Sequence, residues 1–206
     1  MANNIASDLQ KDEYKVIIIG ALGVGKTSLL LRYVHNTFED RISKFISEEK
    51  KSVVVNGREI VLHLWDTAGQ ERFQSITNRF YSDSHAVVIV YDMTSEDAPQ
   101  DLDFWVREIQ YYLPLELEAG MPVLFVANKK DLIKKEDIEE RRQHFRQAQE
   151  VSHSNGFLPP VQCSAKTGEN VDKVFQVVAE HLVRNRSGSH PLIRQTDQKR
   201  CTACSS

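Results

Sequence analysis

Short, uninterrupted apolar runs alternate along this chain with longer stretches whose apolar residues return every three or four positions. Val16-Ile17-Ile18-Ile19, Ala86-Val87-Val88-Ile89-Val90-Tyr91 and Pro122-Val123-Leu124-Phe125-Val126-Ala127 have strand length and no polar face, the pattern of strands covered on both sides. Pro160-Val161-Gln162-Cys163 predicts a last, shorter strand. Ser52-Val53-Val54-Val55 and Ile60-Val61-Leu62-His63-Leu64-Trp65 flank Asn56-Gly57, the strongest short hairpin signal, so this pair is expected to be antiparallel. Helices are predicted over Lys26 to His35 and over Gln100 to Leu113, where Leu102, Trp105, Val106, Ile109 and Leu113 share a face. A charged helix follows from about Glu136 to Val151, and a closing one carries Val171, Val174, Phe175, Val178 and Leu182. Asn36 to Glu49 reads as polar and irregular, and its end, Glu48-Glu49-Lys50-Lys51, as solvated surface. Strands alternating with helices predict an α/β fold: a doubly wound, six-stranded, mostly parallel sheet with one antiparallel edge pair and helices on both faces.

The first strand runs straight into Gly20-Ala21-Leu22-Gly23-Val24-Gly25-Lys26-Thr27, and a helix follows at once. G-x-x-x-x-G-K-[ST] between a strand and a helix is the phosphate-binding loop in the context it requires. Glycines at 20, 23 and 25 let the backbone approach a ligand closely. Freed N–H groups and the helix N-terminus then meet negative charge, which favours phosphate. Lys26 supplies a mobile cation, and the Thr27 hydroxyl suits a Mg²⁺ ligand.

The remaining chemistry lies after other strands. Asp66-Thr67-Ala68-Gly69-Gln70-Glu71 follows the Trp65 strand, Asn128-Lys129-Lys130-Asp131 the strand ending at Ala127, and Ser164-Ala165-Lys166 the Cys163 strand. Right-handed crossovers put the loops after successive parallel strands on one edge, where ligands bind. Composition narrows the classes of function. The 206 residues suit one domain, read over 14–184, with polar tails over 1–13 and 185–206 that read as disordered. A net charge of −3 gives no reason to expect nucleic acid as a partner. No stretch approaches the ~18–20 apolar residues of a membrane span. The first residues lack a hydrophobic signal core, and Ala2 stands where N-myristoylation needs Gly. Three cysteines make no disulfide framework, and a reducing cytosol is the simplest fit.

With these clusters in this order, residues from about Tyr14 to Arg184 resemble a small GTPase of the Ras superfamily, with the P-loop NTPase fold. The branch most resembled is Rab. Trp65-Asp66-Thr67-Ala68-Gly69-Gln70-Glu71-Arg72-Phe73, Ser75-Ile76-Thr77 and Tyr91-Asp92-Met93-Thr94 are close to its pattern. The resemblance implies GTP and GDP as ligands and Mg²⁺ as cofactor. It also implies an exchange factor, a GTPase-activating protein, effectors and a prenyl-chaperone or dissociation inhibitor as partners. A monomeric core, a cytoplasmic home with reversible attachment to the cytosolic face of intracellular membranes, and a role in vesicle traffic complete the set.

Residue by residue, the resemblance assigns nucleotide binding to Gly20, Leu22, Gly23, Val24, Gly25, Lys26, Thr27 and Ser28, with Gly69 sensing the γ-phosphate. Thr27 and Asp66 are the implied Mg²⁺ ligands, and Gln70 orients the attacking water. At the base, an Asp131 carboxylate accepts the ring N–H and exocyclic amine of guanine, a pair adenine does not offer. Asn128, Lys129, Ser164, Ala165 and Lys166 complete the pocket, and Phe38, eleven residues after Thr27, stands where the family places a stacking aromatic or where a core Phe would end the helix.

The chain departs from the family at the first switch, which should supply a Thr to Mg²⁺. Counting back from Trp65 places Ser43 there, and counting forward from Thr27 places Phe45. Leu22 stands where Ras-type loops often have Gly, and it is expected to crowd Gln70 or an incoming arginine and depress hydrolysis. Phe80-Tyr81-Ser82-Asp83-Ser84-His85 differs from the usual Rab residues on the effector side. A GTP-binding scaffold with little hydrolysis is therefore the alternative to a cycling switch. An ATP-using P-loop enzyme is opposed by Asn128-Lys129-Lys130-Asp131. Cys201-Thr202-Ala203-Cys204-Ser205-Ser206 is not C-a-a-X, but Cys201 and Cys204 match the family's lipid-bearing pair loosely, with Arg194, Lys199 and Arg200 upstream.

Overall fold

β1 (Asp12–Ile19) runs through the middle of the sheet, between β3 (Arg58–Asp66) and β4 (Ala86–Asp92) and parallel to both. The structure, a computed structural model, describes residues 12–39, 48–67 and 80–186. β2 (Glu48–Val55) pairs antiparallel with β3 at one edge; β5 (Val123–Asn128) and β6 (Leu158–Gln162) extend the sheet in parallel on the other side. The order β2-β3-β1-β4-β5-β6 is the six-stranded, mostly parallel sheet with one antiparallel pair that the alternation predicts.

Alternate residues of the central strands feed two cores, as strand geometry requires. Val16 and Ile18 pack with Leu29, Leu30 and Tyr33 of α1 (Lys26–His35) and Val174, Phe175 and Val178 of α5 (Val171–Arg186). Ile17 and Ile19 pack with Leu102, Trp105 and Ile109 of α2 (Ala98–Tyr112) and Ala148 of α4 (Ile138–Ser154). The five residues expected on the inner face of α2 and its end, and the five of α5, are all buried. A short helix not anticipated from the sequence, α3 (Pro114–Glu118), follows α2. Among the described residues, no helix is long and apolar enough to cross a membrane.

Several boundaries move. β1 begins at Asp12, inside the stretch read as tail, because Asp12 and Glu13 pair in register with Ile60 and Val61 and Arg58 forms an ion pair with Asp12. α5 continues to Arg186 past the expected start of the second tail. The charged helix starts at Ile138, after a 3-10 turn over Lys135–Asp137. The Glu48-Glu49-Lys50-Lys51 run is an edge strand and not an irregular solvated stretch. Its alternation is real: Glu49 meets His35 at 3.1 Å, while Lys51 donates to the Tyr33 carbonyl at 2.5 Å and lies 3.7 Å from the centre of the Tyr33 ring. Charges on an edge strand also discourage pairing with another sheet. β6 carries Pro159 and Pro160, tolerable at an edge where a lost N–H breaks no central ladder.

Candidate functional site

β1, β3, β5 and β6 all run in one direction, so the polar stretches after them meet at a single edge. The phosphate-loop sequence leaves β1 through Gly20, whose φ is +146° and whose added Cβ would lie 2.1 Å from the Val90 carbonyl oxygen on β4. Only glycine fits there. Gly25 caps α1 in the left-handed region; the first turn has neither a side-chain cap nor an acidic residue, so the helix N-terminus keeps its positive end for an anion. Lys26 is buried, its ammonium donating to the Gly20 oxygen at 2.7 Å and the Ala21 oxygen at 2.8 Å.

Thr27 and Asp66 come together from α1 and the end of β3. The Thr27 hydroxyl donates to Asp66 Oδ2, and both residues are buried. Thr67 is held beside them by donating its hydroxyl to the Ile18 carbonyl at 2.9 Å. A hydroxyl and a carboxylate oxygen side by side at a phosphate loop form a hard donor set, which fits Mg²⁺.

One side chain joins the other loops. The Asn128 amide, at the end of β5, donates Nδ2 to the Val24 carbonyl at 2.9 Å, and its Oδ1 accepts the Ala165 N–H at 3.0 Å. The same oxygen accepts the Cys163 thiol at 3.6 Å; burial, then the charges of Glu169 and Asp131, push that thiol up to about 12, so it stays a donor. A Cβ on Gly25 would lie 2.5 Å from Asn128 Nδ2, which is why this second glycine permits the join. Ser164 donates to Asp131 Oδ1 at 2.5 Å and receives the Thr167 N–H at 3.0 Å. Asp131 itself is exposed, in a 3-10 turn (Lys130–Leu132). The fold therefore does not bury its carboxylate.

The phosphate loop and the loops after β5 and β6 border a cleft of about 340 Å³. Gly23, Gly25 and Ser28, Phe38 just after α1, Asn128, Lys129 and Asp131 after β5, and Ala165 and Lys166 after β6 line it. Phe38 is half-buried, lines the cleft and is absent from both core clusters. Leu22 projects outward, 63% exposed, and is not part of the cleft. A larger cavity, about 470 Å³, opens at the opposite end of the sheet beside Met121, Phe157 and His181, and none of the loop clusters reaches it. Ser43, Phe45, Gly69, Gln70, Cys201 and Cys204 lie outside the described residues.

Sequence reasoning quoted Asp92 and Thr94 only within a family pattern and gave them no role. Lys129 sits at φ +65°, unusual for a lysine, and its ammonium pairs with Asp92 Oδ2 at 2.7 Å. Asp92 Oδ1 accepts the Thr94 N–H at 2.8 Å and the Thr94 hydroxyl at 2.7 Å. Burial pushes the Asp92 carboxyl up, but Lys129 and the Thr94 bonds outweigh it and hold the group below its usual range. The signal was present: an Asp two residues before a Thr at a strand end favours this local turn.

Comparison with known proteins agrees with the geometry. A family model, Ras family, matches residues 15–184. The chain is 38% identical over 179 residues to Ras-related protein RabG2 of Dictyostelium discoideum, covering 86% of each chain. It is 37% identical over 179 residues to Ras-related protein Rab7 of Drosophila melanogaster, covering 86% of this chain and 84% of that one. Against Ras-related protein Rab-9A of Mus musculus the identity is 33% over 186 residues, 89% of each chain. With the loops assembled at one sheet edge and relatives matched over nearly their whole length, the chain belongs to the Ras superfamily of small GTPases, in its Rab branch.

Proposed function

We propose that this protein is a guanine-nucleotide switch of the Rab type that hydrolyses GTP slowly and serves vesicle traffic from the cytosolic face of a membrane. The observation that carries the reading is the Asn128 amide, which ties the phosphate loop at Val24 to the Ala165 loop and so supports one cleft for phosphate and base. Phosphates would lie on the α1 N-terminus with Lys26, and the base between Phe38 and the Ala165–Lys166 backbone. Asp131 would take the two N–H groups of guanine, with Ser164 holding its other oxygen in place. Thr27 and Asp66 would hold Mg²⁺, which when bound neutralises charge on the phosphate oxygens. Gln70 would orient water and Gly69 would sense the γ-phosphate. Ser43 would complete the metal site, and Cys201 and Cys204 would carry lipid. Catalysis of this type rests on positioning, so the unaided rate is slow and an activating protein's arginine could raise it ~10³–10⁵-fold. An exchange factor, effectors and a prenyl-chaperone would complete the cycle.

A second reading, a GTP-holding scaffold with little turnover, rests on Leu22 standing where Ras-type loops often have Gly. Single-turnover hydrolysis of GTP preloaded with Mg²⁺, beside Gln70→Leu, separates the two. Slow hydrolysis that falls at least about tenfold further in the variant, on the scale of lost positioning, is expected of a cycling switch. Retained GTP with no difference between the proteins would establish the scaffold. Displacement of the nucleotide by excess ATP would overturn both.

A further inference from the structure

Arg32, on the last turn of α1, makes four hydrogen bonds that join the end of α1 to the loop after β6. Its Nε donates to the Ala165 carbonyl at 2.9 Å and its Nη2 to the Lys166 carbonyl at 2.7 Å. Nη1 donates to the Asn36 carbonyl at 3.0 Å and to Asn36 Oδ1 at 3.1 Å. Ala165 and Lys166 line the cleft. Asn36 ends α1 in the left-handed region, its N–H returning to the Arg32 carbonyl at 3.0 Å, and the chain then reaches Phe38, which lines the cleft as well. Arg32 itself does not line the cleft.

We infer that Arg32 is a positioning residue that holds the Ala165–Lys166 loop to the end of α1 and sets how fast a bound nucleotide leaves. The inference rests on the guanine-nucleotide reading above. Phe38, Ala165 and Lys166 all line the cleft, so moving the Ala165–Lys166 loop away from the end of α1 breaks bonds to the same guanidinium. Five donors fixed in one plane make this possible, because they reach acceptors in two directions at once. A lysine ammonium at the end of a flexible stem cannot reach both sets. The acceptors are neutral carbonyl and amide oxygens, so the bonds are charge-assisted without requiring a carboxylate exposed to salt. Gly168 closes the same loop at φ +86°, its N–H on the Ser164 carbonyl at 2.8 Å, and its Cα side faces Arg32 Cδ closely enough that an added Cβ would touch it at 3.6 Å.

The test is the dissociation rate of fluorescent GDP from the full chain with Mg²⁺, measured for the unaltered protein, Arg32→Ala, Arg32→Lys and Asn36→Gly. Ile109→Val, buried in the opposite core, serves as a stability control. Release from Arg32→Ala is expected to be about tenfold faster, the effect of losing one charge-assisted bond net of solvent, with the association rate constant unchanged. Arg32→Lys should recover less than half of that loss. Asn36→Gly keeps the left-handed cap and removes one acceptor, so release should rise by about threefold, and it stands in if the alanine variant does not fold. Unchanged release in Arg32→Ala or Asn36→Gly would overturn the inference, as would full rescue by lysine. An equal increase in Ile109→Val at the same loss of thermal stability would also overturn it, by making the effect one of general loosening. If the unaltered protein fails to retain GDP at all, the guanine-nucleotide reading falls and this inference with it; retention with equal release rates overturns this inference alone.

Discussion

Asn128 shows how much of the site depends on single side chains. Its amide satisfies the Val24 carbonyl and the Ala165 N–H, both in the buried zone where loops from opposite ends of the chain meet. Asn128→Ala would leave those two backbone groups without partners, and at the usual cost of a buried orphan the loss is about 3 kcal/mol. Urea denaturation should show that loss, and nucleotide retention should fall with it. Asn128→Asp keeps an acceptor for Ala165 but presents oxygen to the Val24 carbonyl, so it should rescue little. A sequence reader can place Asn128 at a strand end beside a base-binding Asp. The same reader cannot see that its donor goes to Val24, 104 residues away, nor that Gly25 lacks a Cβ to make room for it.

At the scale of elements, the β2–β3 hairpin was the most legible unit and its first half the least. Asn56 and Gly57 both take positive φ, 50° and 78°, as the two-residue turn demands, and the flanking strands pair in register from Val55–Arg58 to Glu48–Trp65. Nothing lies within 4 Å of where a Gly57 Cβ would stand, so Gly57→Ala carries backbone strain without a clash. It should destabilise the fold by about 1 kcal/mol, and Asn56→Gly should be nearly neutral; chemical denaturation of both variants checks the pair. Glu48 to Lys51 misled the reading because four charges in a row resemble a solvated loop. On an edge strand half of them point to solvent anyway, and the other half use long stems and local partners on α1. The α2 and α5 stripes were readable because a helix burying one face leaves a period in the sequence that no tertiary context is needed to detect.

For the molecule as a whole, acid should reach the fold partly through Asp92. Its carboxyl is held below the usual range in the folded protein, so its pairing with Lys129 and Thr94 stabilises the fold fully above the ordinary carboxylate pKa. That stabilisation is lost as pH falls through the depressed folded value, because the unfolded chain takes up the proton first. Thermal midpoints measured from about pH 6 down to about pH 3, spanning the ordinary Asp range, should fall more steeply for the unaltered protein than for Asp92→Asn. Parallel curves would show that the Lys129 pair contributes nothing to the acid limb.

The sequence by itself determined the order of the six strands and the four longer helices, the sheet's two-sided burial and the four loop clusters, because apolar periodicity, a hairpin turn and a glycine-rich phosphate loop are local signals that survive in one dimension. Tertiary structure alone decided that Phe38 borders the cleft and not the core, that Asp131 lines it while standing exposed, and that Lys129 answers to Asp92. It also decided that Arg32, an ordinary helix residue in sequence, bonds a loop more than a hundred positions downstream. Hydrogen-bond partners of this kind are set by where parallel strands end in space, and distance along the chain carries no record of it.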